Sequence, residues 1–575
     1  MKARLKLFPT VLALIFLLSV FSLGAAADVK YDAHDVEKFR AFLEETDADG
    51  ITNGSKLSAS YDPDDPSTWT GDGDGFIKYK YGVNWNEDGR AVAFYCDGYI
   101  NGVVYGDFDV SGCDALEYVD IYGAAIESAN FDGCTSLSEL TMCYPEVPLE
   151  QIDLSANTAL TRIILSYNAL TELDLSGSPN LAYLWVENNK LSRLDLSANP
   201  NLTQLVAKDN NLTELDLSGS PNLIQLFVED NNLTELDISN NMKLITIICE
   251  RNSIKEIDLT GHSELIELRC NYNELTALNT SECPELIYLQ FNYNNIGSID
   301  LSQNLKLISL DCGGNSLTEL DVSGLTGLWK IECWENELTS LDLRDTGIQI
   351  LYCFDNMLEQ ILFPGNPNVL WLNCKNNRLS SLDVENMPNL YGFDGDGNLF
   401  EELLISLNSD DFSCIGNPMR HMSVRHNSGS LELFAQGNGA IGAYYDYDVL
   451  KYIARAEAGD GETFLGWYDE NGNLASEAAD YALDSADSTL YARFSVSGEP
   501  TPTPSAPVID PTEAPVGPTQ APVDPTQAPV DPTQAPADPD DPTPPTAGTI
   551  SLICIGLAVA AGGASAMLLR RKSGR

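Results

Sequence analysis

The chain has 575 residues, of which 43% are hydrophobic, and a formal net charge of −53 at pH 7. This length exceeds that of one compact domain, so several modules are expected, and the hydrophobic content is sufficient for a buried core. A polyanion releases no counterions from DNA and is repelled by anionic lipid, so the charge argues against nucleic acid or an anionic membrane as a partner.

Residues 1–27 have the pattern of a secretory signal peptide. Basic residues beginning with Lys2 precede an apolar run, and Ala25 to Ala27 place small side chains where a signal peptidase cleaves. The mature chain is therefore expected to start near Asp28, outside the cytoplasm.

Residues 28–115 are rich in Tyr, Trp and Gly and are predicted to cap the repeats that follow, because a bare end of a repeat array exposes its core. Residues 83–94 have the pattern of a hairpin leading into the first repeat. A short amphipathic helix is predicted from residues at helical spacing: Val36, Phe39, Arg40 and Leu43.

Residues 116–400 form a repeat array with a period of 21 residues. A typical unit starts at Leu202 and reads L-x-x-L-x-L-x-x-N-x-L, which is the leucine-rich-repeat signature. Degenerate units begin at Leu116 and Leu137. The regular units begin, with one step of 20, at Leu160, Leu181, Leu202, Leu223, Leu244, Leu265, Leu286, Leu307, Leu328, Ile348, Val369 and Leu390.

The repeat predicts a parallel-stranded solenoid from Leu160 to Asn398. In each unit L-x-x-L-x-L is a short strand with positions 1, 4 and 6 inward and positions 3, 5 and 7 outward on a concave face. Position 9 is Asn from Asn168 to Asn398, and a buried amide there can bond backbone groups as a ladder. The Leu-Asp-Leu-Ser run on the other side is too short for a helix, which favours extended or 3₁₀ structure.

Two columns of this array carry side chains that allow alternative interpretations. Cysteine at position 6 is interpreted as reduced core packing, with a chain of disulfides as the alternative, and a Cys113–Cys134 bond stays open. The aspartates of Leu-Asp-Leu either accept turn hydrogen bonds or form a cation-binding edge. The position-6 cysteines are Cys249, Cys270, Cys312, Cys333, Cys353 and Cys374.

The cysteine-containing 21-residue repeat resembles that of Listeria-type internalins and of surface proteins of gut Firmicutes. Residues 429–497, with Gly-Trp-Tyr at 466–468 and a turn at Asn471-Gly472, are similar to the divergent internalin B-repeat, a small β-grasp-like module. The resemblance implies a mainly β, α/β-type leucine-rich-repeat horseshoe and adhesion through its concave face. Residues 401–428 are then a C-terminal cap or connector.

The C-terminal part is predicted to hold the protein at the outside of a Gram-positive envelope. Residues 498–547 contain 16 of the 29 prolines and are predicted to form an extended linker. Residues 548–569 carry no charge and are predicted to form a transmembrane helix, and residues 570–575 are predicted to form a basic cytoplasmic tail. Thr543 to Ala547 resembles a sortase signal but lacks its Leu and Gly. Retention of the helix is therefore favoured over sortase cleavage to the cell wall.

Outward strand positions carry the candidate binding residues, although strand propensity also favours such side chains. No catalytic motif is found among the sequence patterns, the four histidines form no metal cluster, and two Asp-Gly-rich loops, at 46–50 and 71–75, lack the acid that completes a calcium loop. The candidates are Ile164, Tyr183, Trp185, Val206, Phe227, Ile248, Tyr288, Trp334, Tyr352, Phe354 and Trp371.

The sequence thus predicts a non-enzymatic, single-pass surface protein without a cofactor or metal. Its concave face is expected to bind a protein ligand on a host or neighbouring cell. The alternative is a structural or glycan-binding spacer of the envelope, without a specific protein receptor.

Overall fold

The computed structural model describes residues 29–72, 79–365, 367–384, 386–426, 429–483 and 488–496. The predicted signal peptide, proline-rich linker, transmembrane helix and basic tail lie outside these residues. Within the described ranges, no helix is long and apolar enough to cross a membrane.

The N-terminal segment begins with a helix, as its apolar spacing predicts. Helix α1 spans Ala33–Leu43, Asp32 caps it by accepting hydrogen bonds from two backbone amides, and Phe39 and Phe42 are buried. The other elements of this segment are helix α2 (Asn53–Leu57), a 3₁₀ turn (Pro66–Thr68), strands β1 (Gly82–Trp85) and β2 (Ala91–Asp97), helix α3 (Gly98–Asn101) and strand β3 (Tyr105–Asp109).

The predicted hairpin is confirmed and joins the cap to the repeats. Strand β1 pairs antiparallel with β2, and β2 pairs in parallel with β4, the strand of the first degenerate unit (Tyr118–Tyr122). The apolar edge of the array is therefore covered by chain that hydrogen-bonds to it directly. Strand β3 pairs with β5 (Ala125–Asn130) in a separate two-stranded sheet.

The repeats form one long parallel sheet, which confirms a continuous solenoid over Leu160 to Asn398. Neighbouring strands pair residue for residue at the same repeat position, as Leu184 and Leu205 do. The strands after β4 are β6 (Glu139–Cys143), β7 (Arg162–Ile164), β8 (Tyr183–Trp185), β9 (Gln204–Val206), β10 (Gln225–Phe227), β11 (Thr246–Ile248), β12 (Glu267–Arg269), β13 (Tyr288–Gln290), β14 (Ser309–Asp311), β15 (Lys330–Glu332), β17 (Ile350–Tyr352), β19 (Trp371–Asn373) and β20 (Gly392–Asp394).

The asparagine at position 9 forms the predicted ladder. The Asn189 Oδ1 accepts a hydrogen bond of 3.0 Å from the Leu170 amide, and its Nδ2 donates to the Leu165 carbonyl at 2.9 Å. Both bonds reach into the preceding unit, so each amide satisfies backbone groups that the turn after the strand leaves unpaired. The same arrangement recurs along the array and fixes the register of successive turns.

The other side of the solenoid is extended, with only short pairings such as β16 (Ser340–Asp342) with β18 (Gln360–Leu362). The aspartates of Leu-Asp-Leu accept backbone hydrogen bonds two residues on, as Asp174 does from the Ser176 amide at 2.9 Å. That bond and one from the Ser176 hydroxyl hold the pKa of Asp174 below its usual value. The structure thus shows the hydrogen-bonding alternative for this column.

The cysteines of the described residues are free and buried, including every member of the position-6 column. Cys113 and Cys134 are likewise unbonded, and the Cys134 thiol donates to the Val110 carbonyl at 3.1 Å. Burial raises the pKa of the Cys249 thiol far above its usual value. The column therefore acts as apolar core, as the repeat predicts.

The two sheets of the solenoid continue beyond residue 400 into the segment predicted as a connector. Strand β22 (Asp411–Cys414) extends the long sheet, while β21 (Glu402–Ser406) and β23 (His421–His426) pair in parallel on the other side. The backbone of residues 401–426 thus adds further turns to the array.

The described residues of 429–496 carry strands as their only regular elements, and these strands pair with both solenoid sheets. Strand β25 (Ala440–Asp446) pairs antiparallel with β22, and β24 (Gly429–Gln436) pairs antiparallel with β23. Strands β27 (Glu462–Tyr468) and β28 (Leu474–Ser476) form the hairpin predicted at Asn471-Gly472. The β-grasp-like module stays a prediction. The strands are β24 (Gly429–Gln436), β25 (Ala440–Asp446), β26 (Lys451–Glu457), β27 (Glu462–Tyr468), β28 (Leu474–Ser476), β29 (Asp480–Ala482) and β30 (Ser488–Val496).

Candidate functional site

The strand face is the outer side of the long sheet, formed by repeat positions 3, 5 and 7. Five predicted apolar residues lie at position 5 of five adjacent, hydrogen-bonded strands, and we call them the stripe: Ile164, Trp185, Val206, Phe227 and Ile248. Four of them are half-buried, but Ile164 is only 5% exposed. Asp120 and Thr141, at the same position of the two preceding strands, are buried as well. The accessible part of the stripe therefore starts at Trp185.

Trp185 is held in place by polar neighbours. Its Nε1 donates to the Gln204 Oε1 at 2.9 Å, and the Arg162 guanidinium lies 5.8 Å from the ring centroid. Gln204 in turn donates to the Gln225 Oε1 at 2.8 Å. Tyr183, two residues before Trp185, is 48% exposed. This fixed, partly open indole is suited to serve as an anchor, since less side-chain freedom is lost on binding.

Charged side chains border the stripe at position 7. The Lys208 ammonium lies 3.3 Å from a Glu187 oxygen and 3.9 Å from a Glu229 oxygen. Burial raises the pKa of Glu229 to about 7, although Lys208 opposes the shift. The second Glu229 oxygen is buried and has no hydrogen-bond partner among the described residues. A donor on a bound partner could satisfy this oxygen.

The other predicted residues lie further along the same sheet. Trp334 and Phe354 stack with ring centroids 5.7 Å apart and planes 8° apart, and Trp371 contacts Tyr391 at 5.2 Å. Tyr352 and Tyr288 are half-buried at positions 5 and 3 of their strands. The structure thus brings Trp334 and Phe354 together, whereas Trp371 contacts Tyr391.

Sequence reasoning missed the tyrosines at position 8, in the turn three residues beyond the end of each strand. Tyr272 and Tyr293 have positive φ angles of 55° and 53°, stack on each other at 4.6 Å, and remain exposed. Tyr293 also meets Trp334, at 5.0 Å. We call Tyr272, Tyr293, Trp334 and Phe354 the aromatic lip. The Asn-Tyr-Asn triplets at 271–273 and 292–294 were the signal in the sequence.

Two glycines allow the aromatic lip to run across a unit that has no aromatic residue. A Cβ at Gly313 would lie 2.3 Å from the Trp334 ring, and a Cβ at Gly314 would lie 2.6 Å from the Tyr293 ring. Such distances are far below van der Waals contact, so any other residue would displace these rings. The glycines therefore make the lip continuous.

A second group of tyrosines covers the N-terminal end of the strand face. Tyr81 stacks on Tyr95 at 4.7 Å, and Tyr144 stacks on Tyr167 at 4.2 Å. The Tyr118 hydroxyl donates to Asp120, whose pKa is raised to about 7 by burial. Tyr81 and Tyr95 are buried, whereas Tyr167 is 38% exposed, so the stacked pair of Tyr144 and Tyr167 is the accessible part of this group.

Two histidines and the acidic loop at 46–50 make structural contacts. The His34 ring bonds the Ser111 carbonyl at 2.8 Å, and His421 bonds Glu402 at 2.7 Å and Glu432 at 3.1 Å. Throughout the part of the chain that is described, no three His, Cys, Asp or Glu side chains converge as metal ligands. In the loop 46–50, Asp47 pairs with Lys56 at 2.8 Å, and the second acidic loop lies partly outside the described residues.

No protein-family model and no curated protein matches this chain. Among solved structures it is similar to the functional domain of InlJ from Listeria monocytogenes, with 20% identity and a TM-score of 0.45 over 68% of this chain and 90% of that one. It is also similar to YopM from Yersinia enterocolitica, with 21% identity and a TM-score of 0.41 over 55% and 83%.

A third similar structure is the Listeria monocytogenes internalin InlF, with 18% identity and a TM-score of 0.33 over 65% of this chain and 85% of that one. All three likenesses are remote. The description of the chain as a leucine-rich-repeat solenoid therefore relies on its own repeat and on the register of its strands.

Proposed function

We propose that this chain is an adhesion protein that binds a protein ligand with its strand face. The observation that carries this proposal is the stripe, a row of apolar side chains with charged neighbours on an in-register sheet. Neighbouring strands lie about 4.8 Å apart, so the four accessible members extend over roughly 15 Å. An apolar centre with a polar rim is the usual anatomy of a protein-binding site.

The aromatic lip favours a protein over a glycan on this surface. A sugar ring stacks on an open aromatic face, whereas Tyr272 and Tyr293 have planes 26° apart and cover each other, as Trp334 and Phe354 do. The edges of these rings stay open to the apolar and polar groups of a protein surface. The glycan-binding spacer is therefore the second candidate.

The ligand surface is expected to be basic. The chain carries 85 acidic and 32 basic residues, and three of the four position-7 residues beside the stripe are acidic, with Lys208 between Glu187 and Glu229. A complementary positive partner would associate faster and with better discrimination than a neutral one. High salt is therefore expected to slow association more than dissociation.

Two arrays test the proposal, one of extracellular proteins and one of glycans, each probed with the full chain. Protein spots are expected to bind, and Trp185→Ala with Phe227→Ala is expected to weaken that binding by at least about 2 kcal/mol. The matched control is Met242→Ala with Leu305→Ala, two exposed apolar residues outside the strand face. Binding confined to glycan spots, or equal losses for both double variants, would contradict the proposal.

We further propose that residues 548–569 anchor the protein in its membrane after secretion. The uncharged run followed by Arg570 and Arg571 supports this topology. Release of intact chain by detergent alone is the expected result. Extraction only after digestion of the cell wall, with the tail missing, would instead indicate sortase cleavage near Thr546.

A further inference from the structure

A cleft of about 380 Å³ opens at the C-terminal end of the long sheet, apart from the stripe and the aromatic lip. Three parts of the chain form its walls. They are Tyr391, the turn that leads into β22, and the hairpin of β25 and β26, which joins the sheet where Ser413 pairs with Tyr444. The cleft therefore exists only because the C-terminal strands continue the solenoid.

Three tyrosines line this cleft and leave aromatic surface open. The rings of Tyr445 and Tyr447 lie 5.1 Å apart with planes 80° apart, so they form two nearly perpendicular walls. Tyr391 forms a third wall and is 49% exposed, while Tyr447 is 61% exposed. This geometry differs from the aromatic lip, in which the rings cover one another.

Carboxylates complete the lining. Asp410 accepts a hydrogen bond from the Tyr452 hydroxyl, and Asp411 accepts one from the Tyr447 hydroxyl, so neighbouring tyrosines orient both carboxylates. Asp394, on the adjoining strand, lies near Asp411 without lining the cleft, and its pKa is raised to about 6 by burial and by nearby Asp396 and Asp411. The cleft thus combines aromatic faces with a strongly negative potential, which favours a cation.

The identity of the cation follows from what the cleft offers. In the described ranges no three carboxylate, thiol or imidazole groups converge on one point, as a bound metal ion would require. Leu450, which is 69% exposed, adds an apolar rim that suits carbon groups on the cation. Aromatic walls beside carboxylates are the arrangement that recognises alkylated ammonium groups.

We propose that this cleft binds an organic ammonium group, either a quaternary head of the choline type or the side chain of a lysine. The negative face of the tyrosine rings would attract the cation, Asp410 and Asp411 would balance its charge, and Leu450 would contact its alkyl groups. The site is separate from the stripe and the aromatic lip and does not depend on the proposed function.

Calorimetric titration of the full chain with choline, with tetramethylammonium and with Nα-acetyl-lysine amide tests the proposal. At least one of these cations is expected to bind. Stronger binding of the first two indicates a quaternary head, and stronger binding of the third indicates a lysine side chain. Tyr447→Ala and Asp411→Asn are each expected to weaken binding about tenfold, which is about 1.4 kcal/mol.

Two control variants separate the cleft from general charge and aromatic effects. Asp448→Asn removes one negative charge from the same hairpin without lining the cleft, and Tyr167→Ala removes an exposed tyrosine from the opposite end of the sheet. Both are expected to bind the cations as the unaltered chain does. Absence of binding by all three cations, binding of glucose or Ca²⁺ instead, or equal losses in the control variants would overturn the proposal.

Discussion

The stripe and the aromatic lip lie on the same sheet, yet their side chains are placed by different parts of the repeat. Stripe residues lie at position 5, inside hydrogen-bonded strands, where the pleat alone turns them outward. Lip residues lie at positions 7 and 8, two and three residues beyond the end of each strand, and Tyr272 and Tyr293 have positive φ. The stripe therefore depends on the period of the repeat, and the lip depends on how each turn leaves the sheet.

Both regions rest on the same asparagine ladder, and breaking it should cause the largest effect. We expect Asn231→Ala, below the stripe, and Asn294→Ala, below the lip, each to reduce the free energy of unfolding by about 2 to 4 kcal/mol. Each substitution leaves a buried backbone N–H unpaired, the Leu212 N–H in the case of Asn231, and removes one of the two amide hydrogen bonds to a buried carbonyl, that of Ala207. Chemical denaturation measures the loss.

The exposed Asn240 provides the control, because among the described residues its side chain bonds only the adjacent Ser239 hydroxyl, at 3.5 Å. Asn240→Ala should change the free energy of unfolding by less than about 0.5 kcal/mol. A much smaller loss of unfolding free energy for Asn231→Ala than for Asn294→Ala would mean that the stripe and the lip do not depend equally on the asparagine ladder.

The second-largest effect should be on ligand binding, which is expected to distinguish the stripe from the lip. Trp185→Ala with Phe227→Ala should weaken binding to the protein ligand by at least about 2 kcal/mol and change stability by no more than about 1 kcal/mol. Trp334→Ala with Phe354→Ala should weaken binding less, because those rings already contact each other. Equilibrium binding of both double variants to the ligand found on the arrays measures the difference. A larger loss for Trp334→Ala with Phe354→Ala would mean that the lip, and not the stripe, makes the main contact with the ligand.

On the stripe side, Glu229 should contribute to the pH dependence of stability. In the folded chain the pKa of Glu229 is raised to about 7, whereas an unfolded Glu titrates near about 4.3. The folded chain therefore keeps a proton that the unfolded chain loses. The resulting stability is fully present below pH about 4.3 and is lost as pH rises through about 7.

Glu229→Gln is expected to remove this loss. Between pH 4.5 and 7.5 the free energy of unfolding should fall less for the variant than for the unaltered chain, and the two falls should differ by about 1 to 2 kcal/mol. Glu214→Gln, an exposed site in the preceding unit, serves as the control for the loss of one charge. Parallel slopes for Glu229→Gln and the unaltered chain would contradict the prediction.

The smallest expected effect concerns the glycine that joins the two halves of the lip. Gly313→Ala places a Cβ against the Trp334 ring, so the ring must move away from Tyr293 at a cost of about 1 kcal/mol. Tryptophan fluorescence should report the displacement. Gly327→Ala, where a Cβ would meet its nearest neighbour at 3.6 Å, should leave both the fluorescence and the stability unchanged. An unaltered spectrum for Gly313→Ala would mean that the lip is not a packed unit.

Much of the fold follows from the sequence because the repeat is local and periodic. The 21-residue spacing fixes which side chains point inward, and the burial of Leu181, Leu184 and Val186 agrees with it. The asparagine ladder, the reduced cysteine column, the first helix and the hairpin at 83–94 also follow, since each depends on residues close in sequence or on one register between neighbouring units. The outward phase of Trp185 and Phe227 is predicted on the same basis.

The tertiary structure alone decides which outward residues are accessible and what surrounds them. Ile164 has the same repeat position as Trp185 but is buried, as are Asp120 and Thr141 at this position of the two preceding strands. The meeting of Tyr293 with Trp334 needs a positive φ in one unit and glycines in the next, which no single repeat position encodes. The C-terminal cleft forms because β25 pairs with β22, and strand pairing between segments of unlike sequence is set by packing over the whole sheet rather than by a period.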